Sequence, residues 1–171
     1  ENGLDVDSLR FHSRGFYEIR ANWKIAIENY LECYHCQLNH PDFVKVIDEQ
    51  RQRMEADGLR LSQFPPVHPD AYGPDAPYDV TDSVPTAQYH ILFPAMKFNV
   101  NPGTPNLSIS PLWPTAVDRT EAWYDYFFAP DDLGIPRRFY EHKISPGAAE
   151  RFDEYAHLFE RSDDIPAAAR E

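Results

Sequence analysis

The chain has 171 residues, of which 42% are hydrophobic and 14% are aromatic, and its formal net charge is −12. This length suffices for one domain with a substantial core, and no apolar run approaches the length of a membrane span. The acidic balance argues against nucleic acid and anionic membranes as partners, although it permits a cationic substrate.

The cysteines and the first residues bear on the compartment. The chain begins with acidic rather than basic and apolar residues, so no targeting signal is expected. Cys33 and Cys36 are too close in sequence, and too poorly oriented on a helix, to stabilise the fold through a disulfide. We therefore expect a single domain in a reducing cytoplasm.

Along the first third of the chain, the pattern predicts a strand and two helices. Residues 9–20 alternate apolar and polar side chains and predict a strand, or a hairpin that turns at residues 13–15. Asn22 is a suitable N-cap, and Pro41 stands where a helix has ended, so a helix is predicted over residues 23–39. A second helix is predicted over residues 43–56, closed by Asp57 and Gly58 and exposing its charged residues.

The rest of the chain predicts a loop, a run of strands and a last helix. Residues 65–85 include six prolines and indicate a long loop or lid. Four strands are then expected, over residues 88–93, 96–101, 107–113 and 120–128, and a final amphipathic helix over residues 146–162. A long helix packed on a meander of strands is an α+β fold.

Five side chains with metal-binding chemistry lie within nine residues at the end of the first predicted helix: Glu32, Cys33, His35, Cys36 and His40. On a continuous helix, Glu28, Glu32 and His35 would share one face. His40 is too far along for the next turn, but a helix that unwinds before Pro41 would bring it back beside His35. Two imidazoles meeting in this way can hold a divalent metal.

Three kinds of metal site use residues of these types, and the sequence does not support them equally. A zinc site built from Cys33, Cys36, His35 and His40 would need four ligands from one helical segment pointing in different directions. A two-iron cluster would need a second Cys-x-x-His segment, which the sequence does not contain. Two imidazoles with a remote carboxylate are favoured, and this is the ligand set of non-haem Fe(II) oxygenases.

These residues resemble the iron-binding segment of Rieske-type non-haem iron oxygenases, in the catalytic domain of the large subunit. The resemblance is carried by Asn22-Trp23-Lys24, Glu28-Asn29-Tyr30, Glu32-Cys33-Tyr34-His35 and His40-Pro41, and by later sheet segments such as residues 92–100. It implies that His35 and His40 bind a mononuclear iron, and that Glu32 carries electrons from the Rieske cluster of a neighbouring subunit. The implied fold is the helix-grip (START/Bet v 1-like) arrangement, with an antiparallel sheet curled around a long helix and a cavity between them.

The resemblance also implies a third ligand. In Ser162-Asp163-Asp164-Ile165, Asp164 matches the family's late acidic ligand and Asp163 is the alternative, although either Asp is also an ordinary helix cap. Asn29 is expected beside the metal ligands or, equally, as a polar core residue. Trp113, Trp123, Tyr124, Tyr126 and Phe128 form either an aromatic cage for a methylated cation or simply core. The remaining histidines, His12, His68, His90, His142 and His157, are interpreted as surface or packing residues.

As a whole, the resemblance implies an oxygenase catalytic domain over residues 1–171, without the N-terminal Rieske domain that the family carries. The expected reaction is O2-dependent hydroxylation or oxidative N-demethylation of a small substrate, and Glu32 in the Glu-Cys-Tyr-His-Cys context favours quaternary ammonium substrates of choline, carnitine or betaine type. Expected cofactors are mononuclear Fe(II), a [2Fe-2S] cluster on the missing domain, and NAD(P)H through a separate reductase or ferredoxin. The full-length protein is expected to be a homotrimer, inactive without that domain. Aromatic-ring dioxygenation, a non-catalytic helix-grip binding domain and a zinc protein stay open.

Overall fold

A seven-stranded antiparallel sheet dominates the computed structural model, which describes residues 4–130. Asp163, Asp164 and the predicted last helix lie outside the described residues. The strand order is β1-β7-β6-β5-β4-β3-β2. The strands are β1 (Arg10–Ile19), β2 (Arg53–Asp57), β3 (Arg60–Phe64), β4 (Gln88–Leu92), β5 (Met96–Val100), β6 (Asn106–Ala116) and β7 (Arg119–Phe128).

Three helices follow β1 in the chain: α1 (Trp23–Leu31), α2 (Cys36–Asn39) and α3 (Pro41–Val46). The Asn22 side chain accepts a hydrogen bond from the Lys24 amide at 3.0 Å, as the N-cap prediction requires. Within the described residues, no helix is long and apolar enough to cross a membrane. With the sheet, these helices form the predicted α+β fold.

The four strands predicted over residues 88–128 are confirmed, with small shifts at their ends. Residues 9–20 form one continuous strand rather than a hairpin. The long loop over residues 65–85 is also confirmed, apart from one turn of 3-10 helix at Pro69–Tyr72.

The helix predicted over residues 43–56 is wrong. Helix α3 ends at Val46, and the chain then enters the edge strand β2, which pairs with β3. Gly58 has a φ of 56°, the left-handed conformation that a tight hairpin turn needs. Asp57 and Gly58 therefore close a hairpin and do not cap a helix.

The inner face of the sheet is the face that packs against α1. Ile27 of α1 contacts a buried cluster formed by Ile91, Leu112 and Ala122, on β4, β6 and β7. Tyr30 contacts this cluster and also a second one, built around Val46 and Ile47 at the end of α3. The helical segment thus lies across the inner face and forms one wall of a cavity.

Candidate active site

The predicted motif helix is interrupted. Helix α1 ends at Leu31, and Glu32 adopts an extended conformation with φ −103° and ψ 166°. A turn then leads into α2, and His40, also non-helical, separates α2 from α3. The expectation that one helix carries Glu28, Glu32 and His35 on a single face is therefore wrong, whereas the expected unwinding before Pro41 is confirmed.

The interruption brings the two histidines together. The ring centroids of His35 and His40 lie 5.3 Å apart, with an interplanar angle of 78°. Both side chains line the cavity. Their proximity was predicted from the sequence, and their role as metal ligands stays a prediction.

Glu32 holds the His35 ring. Its Oε1 lies 2.5 Å from His35 Nδ1 and also accepts a hydrogen bond from Asn29 Nδ2 at 3.1 Å. A carboxylate at Nδ1 favours the tautomer with the proton on Nδ1, which leaves Nε2 as the available ligand atom. This arrangement is suitable for a metal-binding histidine, and it places the Asn29 amide beside the His35 ring.

The other oxygen of Glu32 is unusual. Oε2 is buried, and no hydrogen-bond partner for it exists among residues 4–130. A buried acceptor without a donor is costly, so this atom is expected to meet a donor from outside the described residues.

The described residues do not by themselves supply a complete set of metal ligands. Within residues 4–130, no group of three or more His, Cys, Asp or Glu side chains is arranged to hold a metal ion. A site built on the His35 and His40 pair therefore needs another ligand, and Asp164 is the predicted one.

The two cysteines correct another expectation. Cys33 and Cys36 form a disulfide, with their Cα atoms 5.0 Å apart. The turn between α1 and α2 provides the close approach that a continuous helix would have denied. A disulfide offers no thiolate, so the zinc alternative loses two of its four ligands, and the cysteines no longer argue for a reducing compartment.

The cavity measures about 610 Å³, which is the size of a small-molecule site. Its wall is rich in tyrosine, with Tyr17, Tyr30, Tyr89, Tyr124 and Tyr126 from α1 and the inner face. Burial raises the pKa of Tyr17, Tyr30 and Tyr89, so these phenols remain neutral hydrogen-bonding groups.

The five aromatic residues considered either as a cage or as core do not all face the cavity, and their binding of a cation stays a prediction. Tyr124 and Tyr126 line the cavity, but Trp113 is 63% exposed, and Trp123 alternates to the other face, where Arg14 lies over its ring. Because successive residues of a strand point to opposite faces, neighbours on β7 cannot all join one cage.

Sequence reasoning missed Lys97 and Asn99, which line the cavity from β5. Asn99 accepts a hydrogen bond from the Tyr30 hydroxyl and donates one to Ser108 Oγ at 3.2 Å. The sequence carries no signal for this burial, because the alternation in residues 96–100 places Met96, Phe98 and Val100 in the phase that is ordinarily buried.

Comparison with known proteins agrees with this fold. A crystal structure of the quaternary ammonium Rieske monooxygenase CntA superposes with a TM-score of 0.64 at 24% identity, covering 77% of this chain and 34% of that chain. Residues 6–170 match the family described as ring hydroxylating alpha subunit (catalytic domain). The chain belongs to this family, as the sequence motif predicted.

The curated relatives of the chain are oxygenase subunits. The chain is 27% identical over 130 residues to the carnitine monooxygenase oxygenase subunit of Acinetobacter pittii, a match that covers 75% of this chain and 34% of the relative. It is 55% identical over 29 residues to the glycine betaine monooxygenase oxygenase subunit of Pseudomonas aeruginosa, which is 17% of this chain and 7% of the relative. The chain thus spans about a third of the length of the carnitine relative.

Proposed function

We propose that this chain is the catalytic domain of an O2-dependent oxygenase that holds mononuclear Fe(II) through His35, His40 and Asp164. The observation that carries the proposal is the pair of imidazoles at the cavity wall, one of them oriented by the Glu32 carboxylate. Bound iron would supply reductive activation of O2. The protein residues position the ligand ring, line a substrate cavity and bury the site between the helices and the sheet.

The proposed reaction is hydroxylation or oxidative N-demethylation of a small quaternary ammonium compound. The Glu-Cys-Tyr-His-Cys motif and the names of the two curated relatives support this substrate class. A tyrosine-rich wall is also suitable for a methylated cation, because aromatic faces attract cations. The position of α1 across the inner face of the sheet is consistent with a helix-grip fold.

We further propose that Glu32 links the iron to an electron donor on a neighbouring subunit. Oε1 is occupied by His35, whereas Oε2 has no partner within residues 4–130. The Glu32 side chain is 26% exposed, so a small shift of the carboxylate would offer Oε2 to a donor from the other subunit. Tyr34 and Leu38, beside Glu32 in the motif, are 85% and 78% exposed and offer an apolar contact surface. The complete assembly would be a homotrimer that brings a [2Fe-2S] domain to this surface and receives electrons from NAD(P)H through a reductase or ferredoxin.

Metal analysis of the anaerobically purified full-length protein tests the iron proposal. His35→Ala and His40→Ala should each lose stoichiometric iron while the fold survives, because nearby groups cannot replace a ligand bond. His12→Ala, at an exposed position on β1, is the matched control and should retain iron. Stoichiometric iron in His40→Ala, or stable zinc in place of iron, would contradict the assignment, and a protein that binds neither metal would favour a non-catalytic binding domain.

A further inference from the structure

Strand β5 points its polar residues inward and its apolar residues outward. Lys97 and Asn99 are buried on the inner face, whereas Met96 and Phe98 are half-buried on the other side. Strand β6 repeats the pattern, with buried Ser108 and Ser110 facing the same way. Strands that bury polar groups and expose apolar ones violate the usual core pattern, and such violations are expected at functional sites.

Lys97 is a buried lysine whose described neighbours include no carboxylate partner. The residue is 5% exposed and lines the cavity. Its ammonium donates to the Tyr124 hydroxyl at 2.6 Å and lies 5.2 Å and 4.6 Å from the ring centroids of Tyr30 and Tyr124. No ion pair joins Lys97 to a carboxylate within the described part of the chain.

A second polar atom at this place also lacks a partner. Ser110 lies directly across from Lys97 in the pairing of β5 with β6, and such neighbours have Cβ atoms about 5 Å apart. Its side chain is fully buried, and its Oγ has no hydrogen-bond partner among residues 4–130. Ser110 does not line the cavity, so the proposal rests on Lys97: a buried ammonium with no carboxylate partner among the described residues is costly unless an anion completes it.

We propose that Lys97 binds the carboxylate of the substrate, with the Tyr124 hydroxyl as a supporting hydrogen-bond donor. The inference deepens the proposed function and rests on it, since it makes the substrate an ammonium carboxylate rather than a simple cation. One ammonium proton of Lys97 is used by Tyr124, so two remain for carboxylate oxygens. The hydroxyl proton of Tyr124 is also available for donation.

The same geometry restricts the cationic group of the substrate. The Lys97 ammonium already lies against the faces of Tyr30 and Tyr124, so a methylated cation would meet a like charge there. The cation must therefore lie away from Lys97, near other aromatic wall residues such as Phe43 or Tyr89, whose rings pack together 6.0 Å apart. Opposite ends of a zwitterion would then contact different parts of the cavity.

Anaerobic calorimetry on the iron-loaded, full-length protein tests this assignment with three probes. Glycine betaine carries a trimethylammonium group and a carboxylate, choline carries the cation without the carboxylate, and benzoate carries the carboxylate without the cation. Lys97→Met should weaken glycine betaine binding about 10- to 100-fold, because a charge-assisted hydrogen bond is lost, and should leave choline binding equal or tighter. Lys97→Arg should retain most of the affinity, and Lys24→Met, which removes an exposed lysine on α1, should change nothing.

The unfolding temperature separates a binding role from a structural one. Methionine removes an unbalanced buried charge at similar volume, so Lys97→Met without ligand should be at least as stable as the wild type. A lower unfolding temperature, with equal weakening of all probes, would mean that Lys97 supports the fold and would overturn the proposal. Failure of both carboxylates to bind the wild type would overturn it as well.

The probes also distinguish this inference from the proposed function. Glycine betaine and choline binding equally, in wild type and Lys97→Met alike, would overturn the role of Lys97 and leave the quaternary ammonium substrate class intact. Lys97-dependent binding of benzoate, without binding of either trimethylammonium probe, would support Lys97 and contradict the N-methyl substrate class.

Discussion

Glu32 is expected to position the ligand ring and to carry electrons, and two substitutions separate these roles. Glu32→Ala removes the Oε1 atom that holds His35 Nδ1 at 2.5 Å. Loss of such a partner behind a metal-binding histidine costs 10- to 100-fold in metal affinity, or about 1.4–2.7 kcal/mol. Glu32→Gln keeps a carbonyl oxygen that can accept the same hydrogen bond, so only the charge assistance is lost, about 1 kcal/mol.

Electron transfer to the iron should respond differently to the same two substitutions of Glu32. The proposed contact at Oε2 requires a carboxylate oxygen that accepts a hydrogen bond from the partner subunit. In Glu32→Gln this position would hold the amide NH2 group, which is itself a donor and cannot accept that hydrogen bond. Glu32→Gln should therefore bind iron at close to normal affinity while losing electron-coupled turnover. Glu32→Ala should lose both properties.

Competition with a ferrous chelator measures the iron affinity, and single turnover with the reduced cluster domain present measures electron transfer. Glu28→Gln, an exposed change one helical turn earlier, is the matched control and should behave as the wild type. Normal iron affinity in Glu32→Ala would refute the positioning role of the hydrogen bond. Normal turnover in Glu32→Gln would refute the bridging role.

Three further expectations concern the fold and the assembly. Leu112→Ala should lower the free energy of unfolding by about 2–5 kcal/mol, because Leu112 is 2% exposed in the cluster beneath α1, whereas Val117→Ala, at an 85% exposed position, should have little effect in the same denaturant titration. Burial, and to a lesser extent the charge of Arg60, lowers the pKa of His90 in the folded protein. The unfolded chain therefore binds the proton more readily, so the free energy of unfolding should fall as the pH drops below about 6.5. Thermal melts of His90→Gln between pH 5 and pH 8 should show a flatter pH profile than the wild type, and an unchanged slope would contradict this assignment. Light scattering should show weaker association of the full-length protein after the double change Tyr34→Ser and Leu38→Ser, and an unaltered trimer would remove this surface from the proposed interface.

The sequence predicted β4 to β7 well because those strands carry strong local signals. Each is bounded by proline, glycine or aspartate, and each alternates its buried positions. The hairpin of β2 and β3 was missed since β2 is an edge strand whose five residues are all exposed, so no period-2 pattern marks it. Its charged residues and the buried Val46 and Ile47 just before it resemble a solvated helix in sequence.

The candidate site was predictable where a motif fixes local geometry. Pro41 forces a break before it, and this break was sufficient to infer that His40 returns to His35. The earlier break in the helix, at residues 32–35, contains no proline or glycine from which it could have been predicted. The disulfide between Cys33 and Cys36 depends on that second break, so it could not be inferred from a helix assumed to be continuous.

Lys97 differs from the motif residues because its importance arises only from pairing across the sheet. A lysine in a strand is usually a solvated residue, and its neighbours in sequence, Met96 and Phe98, would ordinarily identify the buried face. In the structure the buried face is the opposite one, because β5 pairs with β6 so that Lys97 lies across from the buried Ser110. Burial of Lys97 lowers the stability of the empty cavity and raises its affinity for an anion, because the ligand supplies the negative charge that the described residues lack. Binding of a carboxylate should therefore stabilise the protein more than its contact area suggests, and this excess should disappear in Lys97→Met.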